Sequence, residues 1–133
     1  MVAGMATLRE LTPEAYARLD VLTRRLGSEL EAVFEEAGIQ AQVTTIGSLF
    51  RVHFLPSRPR NYREAARDNG LMHRWLQLWL LNHDVMWSTA GNVSLPMENE
   101  HVDTFVAAVG RRWQSSPKSC KPIPPAPILV AST

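Results

Sequence analysis

The apolar residues of this chain change from a helical to a strand period at Gly38, and that change limits the possible folds more than any other feature. Before it, Leu19, Leu22, Leu26, Leu30, Val33, Phe34 and Ala37 recur at steps of three and four, while Arg18, Arg24, Arg25, Glu31 and Glu35 take the other faces. That is the pattern of an amphipathic helix with one buried stripe. Thr12 is a good N-cap, Pro13 suits the first helical position, and Glu14 lies at the positive end of the dipole. A long helix from about Thr12 to Ala37 is therefore expected, closed by Gly38. After Gly38, Val43-Thr44-Thr45-Ile46 and Leu49 to Leu55 are β-branched and aromatic, with Gly47-Ser48 between them, which predicts a hairpin. In its second strand Phe50, Val52 and Phe54 alternate with Leu49, Arg51 and His53, so one face should be buried and the other mixed.

Downstream, Pro56 to Arg60 reads as a loop, and Asn61-Tyr62-Arg63-Glu64 as a capping box with Asn as its cap. Asp68 or Asn69 caps a stronger helix. In it Leu71, Met72, Trp75, Leu76, Leu78, Trp79 and Leu80 are apolar on more than one face, which predicts burial between the sheet and something else. Val85 to Ser88 and Val93 to Leu95 are strand candidates around a turn at Ala90-Gly91-Asn92, with Pro96 closing the second. A last helix runs from about Asn99 to Trp113, with Val102, Phe105, Val106, Val109 and Trp113 on one stripe. The expectation is an α+β domain: a small sheet of three to four mainly antiparallel strands with helices on one face, preceded by a long helix. Residues 1–114 form this domain, and 115–133, with five prolines and no apolar period, read as a disordered or polyproline-like tail.

Ahead of the long helix, Val2 to Leu11 reads as a separate helix with no polar cap before Thr7, as if its first turn were missing. It is not a secretory signal, because its first basic residue, Arg9, follows the apolar run instead of preceding it. No window approaches the roughly 18 apolar residues of a membrane span; Leu71 to Leu81 contains His73, Arg74 and Gln77. A net charge of +1 sets up no global field toward nucleic acid or an anionic membrane, so neither is an expected partner. The lone Cys120 excludes an internal disulfide framework and suits a reducing compartment, with cytoplasm as the expected location.

Several residues invite a chemical reading. His53, His73, His83 and His101 lack metal-ligand spacing, so no metal is expected. Arg58, Arg60, Arg63 and Arg67 beside Tyr62 could meet phosphates, but a solvated loop and helix face is the simpler reading. Trp75, Trp79 and Trp87 could stack on a ligand; a pair at i and i+4 more often marks a core or an interface, which makes Trp75 and Trp79 interface candidates. Ser88-Thr89 has neither a nucleophile-elbow motif nor an evident base. The two lysines, Lys118 and Lys121, both lie in the proline-rich tail. The folded part alone therefore cannot build a lysine Schiff base.

Four segments, "VAGMATLRELTPEAYARLDVLTRRLGSELEAVFEEAGI", "VTTIGSLFRVHF", "RNYREA" and "WSTAGNVSLPMENEHVDTFVAAV", in this order and spacing, resemble the C-terminal small domain of class III, pyridoxal-phosphate-dependent aminotransferases, closest to the glutamate-1-semialdehyde 2,1-aminomutase-like branch. The resemblance covers about Val2 to Trp113. It implies the small domain of fold type I, with Val2 to Leu11 continuing a helix that begins in a large domain. The family's Schiff-base lysine, ring carboxylate and most phosphate contacts lie upstream of anything matching this chain. It therefore implies no catalytic residue here, no pyridoxal phosphate bound by this chain alone, and a large cofactor-binding domain or homodimer partner. Ser88, Thr89 and Asn92 correspond to a substrate-facing loop, in which the Phe-Glu pair usual in the aminomutases is absent, so aminomutase activity is not expected. The reading is the C-terminal portion of a truncated or split transaminase-like enzyme; the alternative is a freestanding, non-catalytic protein-binding module.

Overall fold

A computed structural model describes residues 2–114. Helix α1 (Val2–Glu10) precedes α2 (Pro13–Glu36), with a break where the Thr12 N–H bonds back to Glu10 O at 3.0 Å. Thr12 caps α2 as expected: its hydroxyl accepts from Ala15 N–H at 3.3 Å, satisfying one of the first-turn donors. At the other end Gly38 has φ +68, its N–H donates to Glu35 O at 2.9 Å, and Ile39 N–H donates to Phe34 O at 2.8 Å. That pair of bonds is a Schellman closure, and the left-handed backbone it requires is why glycine stands there. Leu19, Leu22, Leu26, Leu30 and Phe34 bury the predicted stripe. At Gly27 the helix passes so close to the sheet that a Cβ would lie 2.8 Å from the Thr45 methyl.

Strands β1 (Gln42–Ile46) and β2 (Leu49–His53) form the hairpin, turning at Gly47 with φ +53 and pairing Val43 with Val52 and Thr45 with Phe50. Val43, Phe50, Val52 and Phe54 enter the core, while Ile46 and Leu49 on the opposite face are exposed. The outer edge of β1 is occupied by side chains: Val43 N–H donates to Glu31 Oε1 at 2.8 Å, and Arg58 Nη2 donates to Val43 O at 3.0 Å.

One expectation is overturned in the third strand. The residues read as a turn, Ala90-Gly91-Asn92, are themselves β3 (Ala90–Asn92), antiparallel to β2 in the order β1-β2-β3, and neither Val85 to Ser88 nor Val93 to Leu95 is a strand. Gly91 pairs with Phe50, and a Cβ there would fall 2.2 Å from the Phe50 ring. The missing side chain thus gives the ring its place, and this tertiary fit outweighs the turn propensity of Ala-Gly-Asn. Trp87 and Val93 are buried, as strand residues would be, but irregular backbone places them in the core.

Helix α3 (Tyr62–Ala65) is capped by Asn61, whose side chain accepts from Glu64 N–H at 3.0 Å. Glu64 in turn accepts from Arg60 N–H at 2.8 Å, one residue before the cap itself. Helix α4 (Gly70–Leu81) is capped by Asn69, and α5 (Asn99–Gln114) closes the described chain. The sequence predicts burial of α4 between the sheet and something else. Helix α4 packs chiefly on α5 with His73, Leu76 and Leu80 buried, while Leu71, Trp75, Leu78 and Leu81 remain exposed. Helices α2 and α5 pack together over the core face, and Phe34 at their junction meets Phe54 and Trp113 edge-on at 5.7 and 6.3 Å. Among the described residues no helix is long and apolar enough to cross a membrane. The predicted tail, 115–133, lies outside them.

Candidate functional site

The end of α4 determines where the substrate-loop candidates go. His83 stacks on Trp79 at 4.0 Å and donates from Nδ1 to Trp79 O at 2.8 Å, and Asp84 follows in the left-handed region at φ 60. The chain then crosses to β3 with Trp87 buried edge-on to Phe105 at 6.2 Å. Between this crossing, β3 and α5 lies a cleft of about 690 Å³, a size that small-molecule sites share. Its wall is aromatic, from Phe50, Trp87 and Phe105, and Ser88, Asn92 and His101 supply polar edges. Of the three predicted loop residues, Ser88 and Asn92 line the cleft and Thr89 does not.

The groups in this cleft can bind and shape, but they form no activated nucleophile. Ser88 Oγ donates to Ala90 O at 3.0 Å, and His101 Nδ1 accepts from Glu98 N–H at 3.1 Å, so neither is hydrogen-bonded to the other. The Trp87 ring N–H is buried with no hydrogen-bond partner among the described residues, a donor that a water or bound group would satisfy.

A second constellation went unread in the sequence. His53 at the end of β2 and His73 in the first turn of α4 meet on Asp68, and all three side chains are nearly inaccessible, at 6%, 6% and 8% exposed. Asp68 Oδ2 lies 2.9 Å from His73 Nε2 and 3.4 Å from His53 Nδ1, and Oδ1 accepts from Phe54 N–H at 2.8 Å. Burial is the largest influence on Asp68 and pushes its pKa up, but the hydrogen bond and charge of His73, the Phe54 N–H and the charge of His53 together hold it below the ordinary carboxylate range. His53 is pushed below the ordinary imidazole value, first by burial and also by the charge of Arg51, against the opposing pull of Asp68. The expected alternation had left His53 on the mixed face; only the chain's return through Asp68 buries it. Among the described residues no group of three His, Cys, Asp or Glu is arranged to hold a metal ion.

The two interface candidates take different roles. Trp75 is 56% exposed, whereas Trp79 is partly buried and donates from Nε1 to Ala108 O at 3.1 Å. The Arg112 guanidinium lies over both rings, 5.8 and 5.6 Å from their centroids. In the basic cluster, Arg58 is committed to Val43 O and approaches Glu31 at 3.5 Å, while Arg60, Arg63 and Arg67 are exposed.

No family model matches the chain. It is 37% identical over 113 residues to the beta-phenylalanine transaminase of Variovorax paradoxus, covering 83% of this chain and 26% of that protein. It is 33% identical over 109 residues to the glutamate-1-semialdehyde 2,1-aminomutase of Deinococcus deserti, covering 77% and 24%. Among solved structures, an omega-transaminase from Sphaerobacter thermophilus superposes with TM-score 0.77 at 30% identity, covering 85% of this chain and 27% of that one. The chain spans about a quarter of the length of the curated relatives it matches.

Proposed function

We propose a function from one premise: the homologues of this chain are class III aminotransferases, and it matches their C-terminal portion. These homologues depend on pyridoxal phosphate, which supplies an electron sink at the carbon losing its amino group. The residues of this chain do not fit the site that holds that group. No lysine occurs in 2–114, and the buried carboxylate of Asp68 is already bound by His73 and the Phe54 N–H.

The chain serves as the small domain of a transaminase-like enzyme, packed on a large cofactor-binding domain and forming one wall of the substrate mouth. The observation that carries this reading is the cleft, where Phe50, Trp87 and Phe105 form an aromatic wall and Ser88 and Asn92 offer a hydroxyl and an amide to a substrate's polar groups. The stretch from Ser88 to Asn92 contains no acid, which favours amino transfer over the aminomutase reaction. A homodimer partner, a cytoplasmic location, and the absence of nucleic-acid and membrane partners belong to the same reading. A second reading, a freestanding protein-binding module, draws on the exposed Trp75, Leu78 and Leu81 of α4.

The test is a chimera in which this chain replaces the matching portion of the Variovorax paradoxus transaminase. A cofactor-loaded chimera should transfer amino groups, and Asn92→Ala should raise KM several-fold with kcat nearly unchanged. A loaded chimera whose KM ignores both Ser88→Ala and Asn92→Ala overturns the substrate-mouth role. Saturable one-to-one binding of pyridoxal phosphate by the isolated chain with Lys118→Arg and Lys121→Arg, read in equilibrium dialysis, overturns the absence of a cofactor site.

A further inference from the structure

We propose that residues 122–130, the proline-rich apolar run beyond α5, dock on the exposed outer face of α4 in the same chain. This docking stands apart from the enzymatic reading. A partner protein for the same face, as in the second reading, would have to displace the run.

The receiving surface is a stripe. Leu71, Trp75 and Leu78 follow at i, i+4 and i+7, which places them on one face of the helix. They are 47%, 56% and 61% exposed, and Leu81, 58% exposed, extends the face toward the end of α4. The opposite face carries His73, Leu76 and Leu80 into the core. Helix α4 thus has two apolar sides, of which the described domain covers one, and an exposed apolar patch of this kind marks an interaction site. Trp75 adds a flat aromatic ring, the surface on which proline-rich segments pack.

The occupant follows from where α5 ends. Trp79 Nε1 donates to Ala108 O at 3.1 Å, which sets α4 beside the last two turns of α5. The Arg112 guanidinium lies 5.8 Å from the Trp75 ring centroid, two residues before the helix stops at Gln114. The chain therefore leaves α5 next to the stripe. Ile46 and Leu49, also exposed, lie across the sheet on the face turned from the helices. Tyr16 and Val21 lie in the first half of α2, toward the other end of α5, where Arg25 Nη1 donates to Asn99 Oδ1 at 2.6 Å.

Composition and length agree with this placement. Every residue from Pro122 to Val130 is proline or aliphatic, whereas 115–121 carries serines, Lys118 and Lys121. At about 3.1 Å per residue for a proline-rich chain, 115–121 spans about 20 Å. That exceeds the roughly 15 Å from Leu71 to Leu81 along the helix, so the polar stretch is a sufficient spacer. Pro122, Pro124, Pro125 and Pro127 limit the backbone freedom lost on docking. The tether supplies an effective concentration in the millimolar range, so a contact with a dissociation constant of about 1 mM is about half formed or better within one chain. The open remainder of the stripe is what a second copy meets, and covering it restrains association.

A nitroxide on the full chain tests the contact by NMR, with Cys120→Ser and Ser132→Cys placing the label just past the run. In dilute solution the methyl signals of Leu71 and Leu78 should broaden several-fold more than those of Ile46 and Leu49. Trp75→Ser should largely restore them. A mixture of isotope-labelled chains without the nitroxide and unlabelled chains that carry it should show no broadening, because the contact lies within one chain. In the unlabelled protein, Ile128→Ser combined with Leu129→Ser should raise concentration-dependent association several-fold in sedimentation, since the stripe loses its cover. Four results would each overturn the proposal: sharp Leu71 and Leu78 signals, broadening that survives Trp75→Ser and so reflects the tether alone, equal broadening in the mixture, which assigns the face to a second copy, or association unchanged by the serine pair.

Discussion

Replacing Gly91 by alanine tests the packing that creates the third strand. The added Cβ would lie 2.2 and 2.3 Å from two Phe50 ring carbons, more than an ångström inside ordinary contact. Phe50 is 6% exposed and stands edge-on to Phe105 at 5.9 Å, so its ring can yield only toward the cleft it lines. Overpacking costs about 1–3 kcal/mol, and a contact this short places the site toward the upper end, about 2–3 kcal/mol. For a domain of this size, that is a fall in Tm of roughly 10–20 °C. Urea unfolding followed by tryptophan fluorescence reads the loss directly. Phe50→Ala alone opens a cavity costing about 3–5 kcal/mol. Combined with Gly91→Ala, it should cost less than the two separately, by about 2 kcal/mol, since the added methyl then has space. A Gly91→Ala protein within about 0.5 kcal/mol of the unaltered chain, or strict additivity in the double variant, would refute the claim that glycine is there for the ring.

Other outcomes follow from single contacts. Asp68→Ala leaves the Phe54 N–H and the His73 ring donor buried without their acceptor and should cost about 2–4 kcal/mol in urea unfolding. Stability should fall in acid in two windows. His53, held below its ordinary value, stabilises fully above about pH 6.5 and loses that contribution as pH drops through its lowered value; Asp68 does the same below the ordinary carboxylate value near 4. Urea midpoints between pH 8 and 3 would show this, and a profile rising toward acid would contradict it. Thr12→Ala removes the cap on Ala15 N–H and should cost about 1 kcal/mol, while Thr12→Asn should cost nearly nothing. Trp75→Ser should change stability by no more than about 0.5 kcal/mol yet reduce concentration-dependent association in sedimentation, because most of that ring faces solvent.

Where local chemistry and tertiary structure agree, the elements were legible beforehand. The Leu19 to Phe34 stripe, the Thr12 cap and the Gly38 stop are all short-range signals, and α2 begins and ends with them. The hairpin was equally plain, because Gly47 meets the turn's need for positive φ. What stayed hidden depends on residues far apart in the chain. Ala90-Gly91-Asn92 has the composition of a turn and becomes a strand because Phe50, some forty positions earlier, needs a neighbour without a side chain. The meeting of His53, Asp68 and His73 leaves no spacing to recognise, since two of the three reach it from separate elements. For the cleft, Ser88 and Asn92 entered only through family resemblance; no periodicity or motif distinguishes them from ordinary loop polarity.

The side chains on Val43 bear on how this sheet meets other polypeptides. An uncovered border strand is a template for polymer growth, and fibrils spread along such borders. With Glu31 on its N–H and Arg58 on its carbonyl, Val43 offers an incoming strand neither a donor nor an acceptor. A newcomer at that border would first have to displace two charged groups, one from the longest helix and one from the loop after the hairpin. Extension of the sheet is thereby steered to the β3 side, where three residues give a short template. Two surface side chains thus give a short, open sheet a preferred direction of growth.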